Sequence, residues 1–290
     1  MTLFSAPKGF SDPDIARSQR NAIESWRRLG DVDILLLGDE VGLATAAREM
    51  GARYLPNVSR NPSGVPLISS MFQLARESSH SQFLAIINAD IILTPDFLRA
   101  AKQLSSLKLD KGFVLVSQRW DLDVREAMDY SNGWEERLRL AADTQGRLHR
   151  PMGSDFFVFP RDCYRDVPDF TIGRAGWDNW MIYKARQEGW AVIDGTPSML
   201  IVHQNHDYSH HPQGKRGVWE GAEAKRNREL MGGWHHSFTL SDASHRLVST
   251  EIKLNLSGER LFRIVLLGGI LRLLHWSRVK MSRVKTRKNA

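Results

Sequence analysis

FLAIINADIILTPDF, residues 83–97, runs from a buried strand into a helix and places two polar side chains between them. Its first five residues are apolar without a break, as in a parallel strand that is covered on both faces. Thr94 and Pro95 are typical of a helix start, the first as cap and the second in the opening turn. Asn88 and Asp90 therefore follow the carboxyl end of a strand, which is where ligands bind in an open α/β sheet.

The alternation of strand and helix extends over the first two hundred residues. Because repeated β-α-β units imply a parallel sheet with helices on both faces, the pattern predicts a Rossmann-like α/β fold with a mostly parallel sheet flanked by helices. Predicted strands lie at 2–6, 33–39, 52–58, 83–87, 112–118, 153–162, 191–195 and 197–203, and predicted helices at 14–29, 42–50, 66–78, 95–107, 134–142, 175–189 and 219–231.

Length and composition are those of a globular protein. The 290 residues, 42% of them hydrophobic, suffice for one large domain with a sizeable core. A single cysteine, Cys163, excludes an internal disulfide framework and suits a reducing compartment. The first residues show no basic region followed by a long apolar run, so no signal peptide is expected and the expected location is the cytoplasm.

The excess positive charge lies near the C-terminal end. The formal net charge is +7, and seven basic residues but no acidic ones lie between Arg272 and Ala290. Removing these seven from the 40 lysines and arginines leaves 33, against 33 acidic residues. A neutral body argues against nucleic-acid binding, whereas a basic appendage suits an anionic surface.

Residues 261–276 are the most apolar part of the chain. The uncharged run between Arg263 and Arg272 is eight residues long, whereas a membrane-spanning helix needs about 20. Two interpretations remain open: peripheral anchoring on a membrane through this run and the basic tail, or a helix packed on the body. The sequence thus predicts a domain at 1–245 and a C-terminal apolar helix with a basic tail at 246–290.

Asn88-Ala89-Asp90 is the first candidate site. A carboxylate at a strand end can hold a divalent cation, and the cation can hold a diphosphate. A leaving phosphoryl group benefits from that charge, because negative charge builds on the pyrophosphate as the bond breaks. The alternative is that Asn88 and Asp90 only cap the turn into the next helix.

Gly176-Trp177-Asp178-Asn179-Trp180 places one acid at a helix start between two tryptophans. The helix dipole there favours the ionised carboxylate of Asp178. Such a carboxylate suits a general base that acts on a sugar hydroxyl, and indole rings can stack on the apolar face of a sugar. The alternative is a capping aspartate next to two core tryptophans.

VHQNHDYSHH, residues 202–211, supplies several histidines after an apolar strand. The strand fixes the position of His203, which could complete a metal site begun by a carboxylate elsewhere. The spacing fits no standard zinc pattern. For His206, His210 and His211 we expect a solvated polar loop.

Two further polar residues follow the second and third predicted strands. Asp39 could accept a hydrogen bond from a nucleobase N–H, and Arg60 could reach a phosphate or a base. The alternative is that both are ordinary polar residues of loops.

The order of these motifs resembles the nucleotide-diphospho-sugar transferases of the GT-A fold. GWDNW followed by SMLIVH is similar to the galactosyltransferase-like branch, in which an acidic motif precedes Met-x-x-x-His. Residues 2 to 230 also resemble a group of glycosyltransferase-like proteins from bacteria and plants through NADIIL, RWDLDV, GSDFFVFPR, GRAGWDNWMIY and HQNHDYSH.

The resemblance implies a GT-A-type fold and a role for each motif. Asp90 and His203 would bind a divalent cation, Mn²⁺ or Mg²⁺, and Asp178 would be the base of an inverting transfer. The sequence departs from the family where Asn88 replaces the first acid of Asp-x-Asp. Asn88 can bind a ribose hydroxyl but adds no charge, which weakens the expected metal requirement. The implied substrate-binding residues are Asp39, Arg60, Asn88, Asp155, Trp177 and Asn179, with Trp120 and Asp121 lining the same cleft.

Three functions are compatible with these residues. The first is a glycosyltransferase that moves a sugar from a nucleotide-diphospho-sugar donor to an unknown glycan, lipid or small-molecule acceptor. The second is a sugar-phosphate nucleotidyltransferase, which the loop APKGFSDPD disfavours because it has one lysine and no glycine-rich run. The third is an inactive sugar-nucleotide-binding or scaffold protein, in which Asn88 would mark the loss of activity.

Overall fold

The computed structural model describes residues 1–105, 111–206 and 214–258. The chain divides into a compact unit at Met1–Lys253 and a second unit that begins at Leu254. The strands are β1 (Thr2–Ser5), β2 (Asp33–Leu37), β3 (Arg53–Leu55), β4 (Phe83–Ile87), β5 (Ile91–Leu93), β6 (Phe113–Val116), β7 (Trp120–Leu122), β8 (Arg147–Leu148), β9 (Phe156–Pro160), β10 (Ala191–Asp194), β11 (Ile201–Gln204), β12 (His245–Val248) and β13 (Glu251–Leu254). The α-helices are α1 (Pro13–Arg27), α2 (Leu43–Glu49), α3 (Ile68–Ser78), α4 (Pro95–Ser105), α5 (Trp134–Gln145), α6 (Trp177–Gln187), α7 (Gly214–Glu220) and α8 (Ala222–Met231).

A large mixed sheet carries the fold, with the strand order β13-β12-β10-β6-β9-β4-β1-β2-β3. The β1 pairings with β2 and β4, and those of β2 with β3, β6 with β10 and β10 with β12, are parallel. By contrast, β9 runs antiparallel to both of its neighbours, β4 and β6. The predicted α/β class with a mostly parallel sheet is confirmed, and β9 makes the sheet mixed.

Helices pack on both faces of this sheet, against apolar side chains at alternate positions of the central strands. Leu3 and Ala85 belong to a buried cluster that includes Trp26 of α1. Phe4 and Ile86, one position along each strand, belong to a second cluster with α3 and α6. This explains why the central strands are apolar without alternation: both of their faces are covered.

A second, four-stranded sheet has the order β5-β11-β7-β8. One of its faces packs on α5 through a separate apolar cluster that includes Ile92, Leu122, Val202 and Trp134. The sequence pattern missed this sheet because its strands are two to four residues long. In particular, residues 91–93 form strand β5. The sequence of 83–97 had indicated only a turn that leads into helix α4.

The last part of the chain differs from the prediction in two ways. The expected helix at 219–231 is two helices, α7 and α8, which are separated by Gly221. The expected boundary at residue 245 is the first residue of β12, which pairs with β10, and the first unit runs on to Lys253. From residue 259 onward the predicted apolar helix and basic tail lie outside the described residues. Among the helices of the described part, none has the length and apolarity needed to cross a membrane.

Candidate active site

The carboxyl ends of β1, β2, β3 and β4 meet at one edge of the large sheet. The parallel register that sets Ser5 beside Leu36 and Phe4 beside Ile86 brings the loops after these strands together. This edge therefore collects Asp39, Arg60 and Asp90, which are far apart in the sequence. It is the edge where ligands bind in open α/β sheets.

Arg60 is held at this edge by a cluster of acceptors. Its guanidinium pairs with the carboxylates of Asp39 and of Glu40, the latter at 2.9 Å, and donates to the Gly64 carbonyl at 2.7 Å. Gly38 makes the turn possible with φ of 119°, and a β-carbon there would collide with the Glu40 carboxylate. Asp39 remains 66% exposed in its side chain, so it is open to a ligand.

Asp90, His203 and His206 converge next to the end of β4. One ligand atom from each of them lies within 4.8 Å of the other two. Asp90 Oδ2 is 3.1 Å from His206 Nε2 and 3.7 Å from His203 Nε2. Asp90 comes from the turn between β4 and β5, whereas His203 is on β11, which pairs with β5 through His203 and Ile91. The small sheet thus brings His203 to the carboxylate, and His206 follows shortly after the end of β11.

The polar atoms of this group fit a divalent cation. Among the described residues, the buried Asp90 Oδ1 has no hydrogen-bond partner. Burial alone would raise the pKa of Asp90, but the hydrogen bond to His206 and the charges of His203, His206 and Lys8 outweigh it and hold that pKa well below its usual range. An ionised carboxylate with two imidazoles is a donor set for a transition-metal ion.

Asp121 stands behind His203. Its Oδ1 lies 3.3 Å from His203 Nδ1, and its Oδ2 lies 2.7 Å from His149 Nδ1. Burial opposes its ionisation, but contacts from His149, His203 and Arg119 hold the pKa of Asp121 far below the usual value. His203 Nδ1 makes no hydrogen bond within the described part of the chain, so Asp121 acts on that imidazole as a nearby charge, which can orient the ring and strengthen it as a metal ligand.

Asn88 binds Asp155 through both its side chain and its backbone. Its Nδ2 donates to Asp155 Oδ1 at 2.9 Å, and its backbone N–H donates to the Asp155 carbonyl at 2.8 Å. The other carboxylate oxygen of Asp155 pairs with Arg119, which also donates to Asp121 at 2.9 Å. Arg119 therefore ties the turn after β4 to the carboxylate behind His203.

Asp178 lies at the start of α6, as the sequence indicated, and accepts from the Ser154 backbone N–H at 3.3 Å. Its ionisation differs from the expectation based on the helix dipole. Burial raises its pKa, and the nearby charge of Asp155 adds to the rise, whereas the backbone donors of Ser154, Asn179 and Gly176 oppose it. Desolvation is the larger effect because the side chain sits under the loop that leads into β9.

The two residues beside Asp178 support the helix start. Trp177 is only 5% exposed and packs edge-on against Phe157, with ring centroids 5.7 Å apart. It occupies the core and presents no open face for a sugar. Asn179 donates to the Phe238 carbonyl at 2.8 Å and so fastens α6 to the segment after α8.

Sequence reasoning passed over some residues of the cleft. His206 is exposed, as expected, but it also contacts Asp90; a histidine three residues after His203 was the available signal. Arg119 and His149 carried no signal, because their partners come from distant parts of the chain. His210 and His211 lie outside the described residues.

No protein-family model and no curated protein sequence matches the chain. Similar solved structures include glucosyl-3-phosphoglycerate synthase from Mycobacterium tuberculosis with Mg²⁺ and UDP, at 15% identity and a TM-score of 0.49, covering 80% of this chain and 79% of that one. A mannosyltransferase from Pyrobaculum calidifontis with GDP-Man and Mn²⁺ is similar at 14% identity and a TM-score of 0.45, covering 75% and 58%. The chain thus has structural matches among glycosyltransferases at low identity.

Proposed function

We propose that the chain is a glycosyltransferase that moves a sugar from a nucleotide-diphospho-sugar donor to an acceptor hydroxyl with the help of a divalent cation. The observation that carries this proposal is the convergence of Asp90, His203 and His206 at the sheet edge that also holds Asp39 and Arg60. Three side chains that can bind a metal thus lie beside polar side chains that can bind a nucleoside. This arrangement suits a donor in which a diphosphate is attached to a nucleoside.

The donor set favours Mn²⁺ over Mg²⁺. Imidazole nitrogens suit transition metals, whereas Mg²⁺ prefers oxygen ligands. When bound, the cation would neutralise the charge that develops on the leaving diphosphate. Asp90, His203 and His206 would hold it, with Asp121 orienting the His203 ring from behind.

The nucleotide part of the donor suits the ends of β2 and β3. The exposed Asp39 carboxylate can accept from a base or ribose, while Arg60 stays in place through Glu40 and the Gly64 carbonyl. Lys8, after β1, contributes positive charge at Asp90 and would reinforce the hold on the diphosphate. Asn88 serves a different purpose from a metal ligand, because its amide fixes Asp155.

Asp178 is the proposed base of an inverting transfer. A general base works best when its pKa lies near the working pH, and burial moves the pKa of Asp178 in that direction. The hydrogen bond from the Ser154 N–H holds one oxygen of the carboxylate in place. Asp155, which is tied to Arg119, adds negative charge that further strengthens the base.

The test replaces Asp178 by asparagine, which keeps the shape of the side chain and its capacity to accept from Ser154. We expect the D178N protein to bind nucleotide and Mn²⁺ like the wild type and to lose transfer by a factor of about 10² to 10⁴, the usual contribution of a general base. Single-turnover transfer of radiolabelled sugar from a panel of nucleotide sugars measures this. D143N, which changes an exposed carboxylate on α5, is the matched control.

Normal transfer by the D178N protein would overturn the assignment of the base. Donor binding by the wild type without transfer to any acceptor, or to water, would favour a binding or scaffold protein. Formation of a nucleotide sugar from a sugar phosphate and a nucleoside triphosphate would favour a nucleotidyltransferase.

A further inference from the structure

A polar cavity of about 340 Å³ opens on the small sheet. This volume is at the lower end of the range for small-molecule sites, which suits one ring better than a whole nucleotide. The cavity is lined by Asp121, Leu122, Asp123, Gln145, Arg147 and Asn205.

The cavity lies where strands β7 and β8 meet the end of helix α5. Asp121 pairs with His203 on one side and with Arg147 on the other, so the three side chains share a face. Asp123 follows two residues later, and its Oδ1 accepts from Asn205 Nδ2 at 2.8 Å. Asp121 is thus both the wall of the cavity and the support of His203.

The lining offers donors and acceptors in close alternation. Asp121 and Asp123 provide carboxylate acceptors, and the amides of Gln145 and Asn205 can both donate and accept. The side chains of Gln145 and Arg147 make no hydrogen bond or ion pair with any other residue that the structure describes, so their donors are available. Each sugar hydroxyl both donates and accepts, so adjacent hydroxyls match such a mixed lining better than a simple anion or an apolar ligand does.

We propose that this cavity binds a sugar ring of a carbohydrate acceptor. The inference rests on the proposed function. In that proposal the nucleotide lies at the ends of β2 and β3, and the diphosphate lies at Asp90, His203 and His206. The cavity beyond Asp121 then remains for the acceptor. Binding energy from an acceptor ring away from the reacting hydroxyl would help to position that hydroxyl. The substrate class is therefore an oligosaccharide or glycoside with free adjacent hydroxyls.

The experiment is a glycan array probed with the labelled full-length protein, in the presence of Mn²⁺ with UDP or GDP. Glycans that bind the wild type are then titrated against R147A and Q145A, with D143A as the control on α5. We expect a loss of affinity of tenfold or more in R147A and Q145A and none in D143A. Both target side chains are exposed, so their removal should leave the fold intact.

A second arm separates the possible sources of the sugar. Thermal shifts with nucleotide diphosphates and with nucleotide sugars should be the same for R147A, Q145A and the wild type. A loss of the nucleotide-sugar shift alone would overturn the acceptor assignment and give the cavity to the donor sugar. Absence of any glycan bound by the wild type, or equal binding by the variants, would also overturn it. If no nucleotide shifts the wild type, the proposed function fails by itself, whatever the array shows.

Discussion

Burial and the helix dipole act in opposite directions on the pKa of Asp178 at the start of α6. The sequence indicated that the helix dipole would favour ionisation, and the structure shows that burial acts more strongly in the opposite direction. The position at the helix start was predictable, because glycine and a polar turn precede an apolar helix. The burial was not, since the loop at Ser154 that covers the carboxylate comes from another part of the sequence.

The raised pKa of Asp178 should affect the free energy of unfolding. Because the folded protein binds the Asp178 proton more tightly than the unfolded chain, this group stabilises the fold most when protonated, and its contribution is lost as the pH rises through the folded-state pKa. D178N keeps the neutral form at every pH. We expect D178N to have a larger free energy of unfolding than the wild type at neutral pH, and the difference to shrink in acid.

Urea denaturation of both proteins at neutral and acidic pH measures this difference. D143N serves again as the control, because its exposed carboxylate should make no such contribution. A D178N protein that is less stable than the wild type at neutral pH would contradict the role of burial.

We expect the Asp121 carboxylate to strengthen the binding of a metal ion at His203. Replacement by asparagine removes the negative charge behind His203 while preserving its size. Loss of such an outer partner typically costs about 10- to 100-fold in metal affinity. We expect D121N to bind Mn²⁺ that much more weakly, as measured by isothermal titration or electron paramagnetic resonance. Unchanged affinity would show that His203 does not need Asp121, or does not bind the metal.

The short elements explain what the sequence left hidden. The long strands β2 and β4 were found because their uninterrupted apolar runs mark a buried sheet. Strands β5, β7 and β8 are two or three residues long, and their pairing depends on partners far away in the sequence. The motif after β4 was therefore recognised as a candidate site, and the family resemblance paired Asp90 with His203, but the small sheet that brings these two residues together was not predicted.

A buried asparagine on helix α8 fastens this helix to the segment before α6. The fully buried Asn227 accepts from the Thr171 N–H at 2.9 Å and donates to the Thr171 carbonyl at 3.0 Å, and it lies against Gly176 before α6. N227A would leave these buried backbone groups without partners. We expect a loss of about 1–3 kcal/mol in the free energy of unfolding.

Urea denaturation measures the effect of N227A, with R226A as the control because Arg226 is exposed on the same helix. A surface change of that kind usually alters stability by less than about 0.5 kcal/mol. Equal stabilities of the two variants would mean that Asn227 does not fasten α8 to the segment before α6.

The candidate site depends on both sheets of the molecule. The large sheet supplies the strand ends that carry Asp39, Arg60 and Asp90, and the small sheet supplies His203 and its support, Asp121. Neither sheet alone holds the complete set. Ligands that bind only this folded arrangement should stabilise it by mass action, by about 2.7 kcal/mol at a concentration 100 times the Kd.

The most direct measurement is therefore a thermal-shift titration of the full-length protein with UDP, GDP and their sugars, with and without Mn²⁺. D90N, which removes the charge of the proposed metal ligand, is compared with D143N as the control. We predict an upward shift with one nucleotide family that requires Mn²⁺, is kept in D143N and is lost in D90N. A wild-type protein that no nucleotide shifts in either condition, or a shift that survives in D90N, would contradict the metal-assisted donor site.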